Sequence, residues 1–338
     1  MASPAEPRPV LFEAIDHVVV VVDDLAAARR DTALLLGRAP SFEGLHPGLG
    51  TRNVLFRTGG HYLELLAAAG RGPGARFVEE RLAERGPGLA ALALRAASLD
   101  RVVPVLHGRG LPAPEPAAGL GRDEESGAFR RWRSTLLPVP QTRGLPLLAI
   151  EHLSPPELLP EAAARGAAEA CVSGLDHVVV RSADLEASRL LFADALGLRL
   201  ALDRSFPELG LRMLFFRVGG VTLELVGAAP AASSMPAPGP QPGGGSAREP
   251  DPSSGTGREA GSESGPAMDR DTFFGLAWRV ADVDAARERL HRAGFRVDPV
   301  RRGRKPGTRV ATVRSRTCGV PTLLIGPDRR DGAGPAED

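Results

Sequence analysis

The sequence predicts an α+β fold built from four β-α-β-β-β modules joined in two pairs. Three observations carry this reading. Ile15-Asp16-His17-Val18-Val19-Val20 returns as Leu175-Asp176-His177-Val178-Val179-Val180, 160 residues later. At the same offset Gly50 to Leu65 returns as Gly210 to Leu225, so a His-to-Glu spacing of 47 residues occurs twice, as His17/Glu64 and His177/Glu224. Two weaker copies, opening at Ala90 to Ala96 and at Leu276 to Val280, match each other at an offset of 184. Self-similarity of this kind marks repeated supersecondary units.

The elements follow in order. Val18 to Val22 is a β-branched run suited to a buried strand. Asp23-Asp24 supplies the N-cap and first-turn acids of a helix over Leu25 to Leu36, which Gly37 ends. Pro40 to Gly44 is less regular and holds another strand. Asn53 to Arg57 and His61 to Leu66 read as strands joined by a Gly59-Gly60 hairpin turn. Residues 174 to 227 repeat this unit. The second module opens at Ala90, continues into a helix ending near His107-Gly108, and closes at Gly144 to Leu148. The fourth opens at Leu276, has a helix ending near His291 to Gly294, and closes at Gly319 to Leu323. Pro155 to Ala170 is an Ala-rich, partly helical connection. Pro230 to Asp271 is rich in Pro, Gly, Ser and Ala and lacks aromatic residues, so it is expected to be a disordered insertion. The expected domains are therefore 12–155 and 172–328, joined by 156–171.

Bulk properties narrow the function classes. The 338 residues carry 42 basic and 41 acidic side chains, a net charge of +1, which provides no electrostatic case for nucleic acid or an anionic membrane. Lys305 is the only lysine, a probable composition bias of the genome. Cys171 and Cys318 form neither a CxxC pair nor a disulfide framework. No apolar signal core stands in Met1 to Pro9, and Val18 to Val22 is far short of a membrane span. A cytoplasmic location is the simplest expectation.

The motifs Asp16-His17-Val18, Asp176-His177-Val178, Phe192 to Leu198, Tyr62-Leu63-Glu64-Leu65 and Thr222-Leu223-Glu224-Leu225, together with the fourfold pattern, resemble the vicinal oxygen chelate superfamily. That group includes glyoxalase I, extradiol dioxygenases, fosfomycin resistance enzymes and bleomycin-binding proteins. The first half, with His46 to Thr51 and the Trp132 strand, looks most like glyoxalase-like domains of unassigned activity. The resemblance implies paired modules curved around a cavity, with metal ligands on the first and last strand of each module. It implies a divalent metal (Fe, Mn, Ni or Zn), a small-molecule ligand, and sometimes a homodimer sharing sites between chains.

Carried over residue by residue, it places metal ligands at His17 and Glu64 and at His177 and Glu224. The corresponding positions in the even modules fall on Ala91 and Gly275 and, on the last strands, on Ala149 and Leu324, with Glu151 two residues late. Each domain therefore keeps half a set, whereas a catalytic zinc site takes about three protein ligands plus water. The alternative is a hydrogen-bonded His–Glu pair kept from a metal-binding ancestor. Among further ligands, His46 on its loop could fold over the first site, but its counterpart is Phe206. His61 is out of phase with Glu64. His107 and His291 stand at helix ends, and His152 has no special context. Cys318 lacks a partner base. Trp132 and Trp278 read as cavity-wall or core residues.

An Arg stands four positions after the ligand position in three modules: Arg181, Arg95 and Arg279. Arg181 and Arg279 are expected to clamp an anionic group in the second domain, since the guanidinium fork suits carboxylate or phosphate. The Arg301 to Arg309 loop is a candidate to close over the same anion. The alternative is that these arginines lie in solvent at strand ends. The leading function is a small-molecule enzyme of the glyoxalase and dioxygenase type using the metal as a Lewis acid, with the second domain favoured by its arginines. The alternatives are a metal-free binding or sequestering protein and a layout in which one domain is a silent scaffold.

Overall fold

The computed structural model describes residues 10–229 and 270–328. The expected insertion lies outside the described residues up to 269. Its end, Asp271, is buried and paired with Arg143 at 3.2 Å.

The first module is β1 (Ala14–Val21), α1 (Leu25–Leu36), β2 (Phe42–His46), β3 (Thr51–Thr58) and β4 (His61–Ala68), followed by α2 (Pro73–Arg85). The second is β5 (Gly88–Arg95), α3 (Leu99–Gly108), β6 (Ala117–Asp123), β7 (Phe129–Leu136) and β8 (Leu147–His152). The third is β9 (Val172–Arg181), α4 (Leu185–Arg189) running into a π-turn, β10 (Arg199–Phe206), β11 (Leu211–Val218) and β12 (Val221–Ala228). The fourth is β13 (Thr272–Val280), α5 (Val283–Arg292), β14 (Arg301–Arg302), β15 (Thr308–Val313) and β16 (Thr322–Pro327).

Local chemistry accounts for most boundaries. Asp24 caps α1 by accepting from Ala27 N, and Gly37 ends it in the left-handed conformation at φ 67°. Gly59 and Gly60 both have positive φ (61° and 86°), as a tight hairpin turn between twisted strands requires. The connection contributes only two short 3-10 turns, Pro156–Leu158 and Ala168–Ala170. α2 lies beyond the segment that repeats in sequence and was not anticipated from it; Pro73 at its first turn is its clearest signal.

The sheets differ. The first closes into a barrel, ordered β1-β4-β3-β2-β6-β7-β8-β5, through the pairs Gly44↔Asp123 and Leu45↔Arg122. The second is an open sheet, β10-β11-β12-β9-β13-β16-β15-β14, whose last strand is only two residues long. Alternate residues of the strands face either the concave side or a shared apolar core. That core joins Val18, Leu65 and Leu92 of the barrel to Leu36, Leu106, Phe192 and Leu290 of the helices and to Val178 and Leu223 of the open sheet. Polar ties cross the same junction. Arg289 donates to Leu35 O at 2.9 Å and Ala170 O at 3.1 Å, and Arg316 pairs with Asp31 at 2.6 Å. Among the described residues no helix is long and apolar enough to cross a membrane.

Candidate functional site

Inside the barrel lies a cavity of about 360 Å³, at the low end for a small-molecule pocket. Its lining comes from alternate strand positions. β1 contributes His17 and Val19, β3 contributes Thr51, Asn53 and Leu55, and β4 contributes Tyr62, Glu64 and Leu66. β7 adds Arg130, Trp132, Ser134 and Leu136, while β8 adds Leu148 and Ile150. Pro73, Gly74 and Phe77 of α2 also line it. Leu55 and Tyr62 also pack with Phe42 and Leu159, so one small apolar cluster adjoins the cavity wall.

The walls are largely apolar, and the polar groups form a continuous chain. Asp16 is 2% exposed. It accepts from His17 Nδ1 at 2.7 Å and from His152 Nε2 at 2.8 Å. Burial alone would raise the Asp16 carboxyl, but the hydrogen bonds from His152 and His17 and their positive charge outweigh it, holding the group far below its usual range. With its Nδ1 proton committed to a carboxylate, His17 points Nε2 at Glu64 Oε2, 3.5 Å away, and stacks on Tyr62 at 4.5 Å. Burial, and then the negative charge of Asp16, push the Tyr62 hydroxyl well above 10.

Glu64 is fixed from its other side. Asn53 Nδ2 donates to Glu64 Oε1 at 2.7 Å and to His46 Nε2 at 3.2 Å. Asn53 thus spends both amide hydrogens, and its Oδ1 is buried without a partner. His46 Nδ1 in turn meets Thr51 Oγ1 at 3.0 Å. Burial lowers the His46 pKa, and the charge of Arg130 acts the same way against the opposing pull of Glu64. A neutral ring receiving at Nε2 and donating from Nδ1 satisfies both contacts.

The donor set does not fit a resident metal ion. His17 Nε2 and Glu64 are two donors, and His46 is occupied by Asn53. The ladder pairs Val19 with both Glu64 and Ala91, and Ala93 with Leu148. The pseudo-equivalents of His17 and Glu64 are therefore Ala91 and Leu148, both apolar. Among the described residues no group of three His, Cys, Asp or Glu is arranged to hold an ion. The pairing also corrects the sequence alignment by one residue. The last-strand positions are Leu148 and Leu323, where Ala149 and Leu324 were expected, and a one-residue slip moves a side chain to the opposite face. Glu151 instead caps α3, accepting from Leu99 N at 3.0 Å.

In the second domain His177 Nδ1 pairs with Asp176 at 2.9 Å, and the hydrogen bond and charge of His177 hold Asp176 low against the upward push of its burial. Burial raises the Glu224 carboxyl, opposed by the charge of His177. Both residues are half-buried on a face of the open sheet that, among the described residues, no strand closes. The polar frame of the first site is missing, because Phe206, Leu211 and Met213 stand where His46, Thr51 and Asn53 do.

The expected arginine clamp is not assembled. In the antiparallel β9–β13 pair Arg181 lies beside Thr272, whereas Arg279 lies beside Gly174. Seven residues of strand, about 23 Å, separate them. Equal offsets from the ligand position run in opposite directions along antiparallel strands, a relation the sequence count ignored. Arg181 is exposed and stacks on Phe274 at 3.8 Å. Arg279 reaches Gly220 O at 3.5 Å. Arg95 stands 3.7 Å from Glu13 and 4.0 Å from Asp16, outside the cavity lining. From the basic loop, Arg309 is paired with Asp284 and Arg304 stacks on Phe206.

Other sequence expectations fare unevenly. His46 ends a strand and does line the first site, while His61 faces away and bonds Ile15 O. His152 belongs to the polar chain, which sequence reasoning missed because its partner Asp16 is 136 residues distant. Arg130 was also missed, although alternation along the Trp132 strand places both side chains on one face. Trp132 is a cavity wall and Trp278 is core. Burial raises the Cys318 thiol above its usual value, against the Thr32 hydrogen bond, which disfavours a nucleophilic role.

Comparisons with known proteins agree with this architecture. A glyoxalase-like domain model matches residues 15–169, and the glyoxalase/bleomycin resistance protein/dioxygenase superfamily model matches residues 174–319. A mutant of 4-hydroxymandelate synthase from Streptomyces coelicolor superposes with a TM-score of 0.60 at 17% identity, covering 94% of this chain and 93% of that one. A hypothetical protein from Staphylococcus aureus superposes at 0.57 and 10% identity, over 92% and 98% of the two chains. A Mn(II)-bound glyoxalase from Novosphingobium aromaticivorans superposes at 0.55 and 15% identity, over 94% and 82%. At such identities the likeness is one of fold. No curated protein matches the chain.

Proposed function

Because the chain belongs to the vicinal oxygen chelate superfamily as a tandem two-domain member, we propose that it is a small-molecule enzyme working in the barrel cavity of its first domain. The observation that carries this reading is a cavity of about 360 Å³ whose polar floor is the His17–Glu64 pair, oriented by buried Asp16. The second domain, lacking closure and the polar frame, acts as scaffold.

The chemistry we infer is proton transfer. Asp16 keeps the Nδ1 proton of His17 in place, so Nε2 is the ring atom free to exchange a proton with the cavity. Asn53 holds one oxygen of Glu64 and leaves Oε2 toward His17. A carbon or oxygen acid lodged against this pair meets a base and an acid in one location, an arrangement worth about 10²–10⁴-fold in rate. The Lewis-acid version, with Fe, Mn, Ni or Zn at His17 and Glu64 or at His177 and Glu224, needs donors these residues do not supply. A sequestering protein is the second reading, favoured by the predominantly apolar walls.

The test combines metal content with proton exchange. Elemental mass spectrometry is expected to find well below one metal per chain, unchanged in His17→Ala and His177→Ala. Near-stoichiometric metal lost in either variant would restore the Lewis-acid version. Deuterium uptake from D₂O into a panel of small carbon acids is expected with the wild type and should fall about a hundredfold or more in Glu64→Gln. Ligand binding without any exchange would leave sequestration as the function.

A further inference from the structure

The cavity contains one cationic side chain that no protein group hydrogen-bonds or pairs with. Arg130 is only 7% exposed, yet it makes neither a hydrogen bond nor an ion pair. The other buried charges have partners: Asp16 has His17 and His152, Glu64 has Asn53, and Asp271 has Arg143 and Ser188. What Arg130 does have is two aromatic rings, Phe42 at 5.4 Å and Tyr62 at 5.7 Å from its guanidinium carbon. Such stacking offsets part of the cost of burial and fixes the plane of the group. It leaves the five N–H donors unspent. A guanidinium oriented by two rings, unpaired, and presented on a cavity wall is an anion site awaiting its anion.

We propose that Arg130 anchors a carboxylate of the cavity's ligand, so that the substrate class is a small monocarboxylic acid with an apolar body; this rests on the cavity reading above. A monoanion fits better than a phosphate dianion, because a single cation faces a cavity that also holds Glu64. Arg130 lies by the Phe42 and Tyr62 rings, whereas Phe77 of α2 lines the cavity and packs in one cluster with Leu66, four residues along β4 from Tyr62. Glu64 follows Tyr62 by two residues on the same face of β4, and His17 stacks on Tyr62. A bound acid would therefore hold its carboxylate at Arg130, its neighbouring carbon toward His17 and Glu64, and its apolar body along Leu66 and Phe77.

Trp132 lies on the cavity wall, so its fluorescence reports occupancy, while Trp278 is buried in the core at 2% exposure. The probes are phenylacetate and its uncharged counterpart phenylacetamide, titrated at neutral pH into wild type, Arg130→Met, Arg130→Lys and Ala91→Phe. Wild type is expected to prefer the acid by about tenfold or more, as a hydrogen bond to a charged group implies. Arg130→Met should lose the preference while still binding the amide and should melt no lower than wild type, since it removes an unpaired buried charge. Arg130→Lys should regain part of the preference, and Ala91→Phe should bind neither probe. Equal binding of acid and amide, both abolished by Ala91→Phe, would overturn the role of Arg130 and leave the cavity reading standing. Binding that survives Ala91→Phe, or no binding of either probe to wild type, would overturn the cavity reading and the inference with it.

Discussion

Replacing Asp16 removes the centre of the polar chain beneath the cavity. Its carboxylate, 2% exposed, accepts from two imidazoles at 2.7 and 2.8 Å. Each hydrogen bond to a buried charge contributes about 1.5–3 kcal/mol. Asp16→Ala loses both and strands two N–H groups beside a void, so we expect a loss of about 3–5 kcal/mol. At about 2–4 °C per kcal/mol, the melting temperature should fall by roughly 6–20 °C. Asp16→Asn retains the shape and one acceptor and should lose about half as much. The pH dependence has a definite sign. The native carboxyl titrates well below the ordinary aspartate value of 3.8, so the unfolded chain takes up the proton first. The stabilisation is complete above that value and is lost as pH falls through the native one. Calorimetric unfolding of wild type and Asp16→Ala from pH 7 down to strongly acid solution should show a gap that narrows only below about pH 3.8. A deficit under about 1 kcal/mol, or a gap indifferent to acid, would refute this account of Asp16.

Two further outcomes are expected. At Gly44 a Cβ would stand 2.3 Å from the Arg122 carbonyl oxygen and 2.4 Å from the Phe42 ring. Gly44→Val should therefore part the β2–β6 seam, seen as faster amide exchange at Leu45 and loss of cavity binding; unchanged exchange would mean the seam can absorb the clash. Because burial raises the Cys318 thiol and Cys171 is fully covered, both should react with iodoacetamide more slowly than a free cysteine until the protein is denatured. Rapid labelling of Cys318 in the native state would contradict its burial.

The fold was legible because duplication repeats local patterns. The Asp-His-Val strand, the Asp24 cap and the Gly59-Gly60 hairpin depend on residues within a few positions of one another, and period-two alternation already put His17 and Glu64 on repeated strands. α2 escaped because it lies beyond the segment that repeats in sequence. The Arg181–Arg279 clamp failed because a spacing along one strand says nothing of the direction in which its neighbour runs.

The sequence by itself determined the superfamily, the four modules, and the His and Glu that recur at matching strand positions in each domain. Only the tertiary structure decided which His–Glu pair is enclosed. Closure of the first barrel rests on a glycine-sized contact between β2 and β6, and in the second domain the two-residue β14 cannot supply the equivalent edge. Likewise, Arg130 is an ordinary strand arginine in sequence. Its significance comes from standing unpaired on the wall of a cavity inside a closed sheet, which is a property of three-dimensional surroundings and of no local pattern.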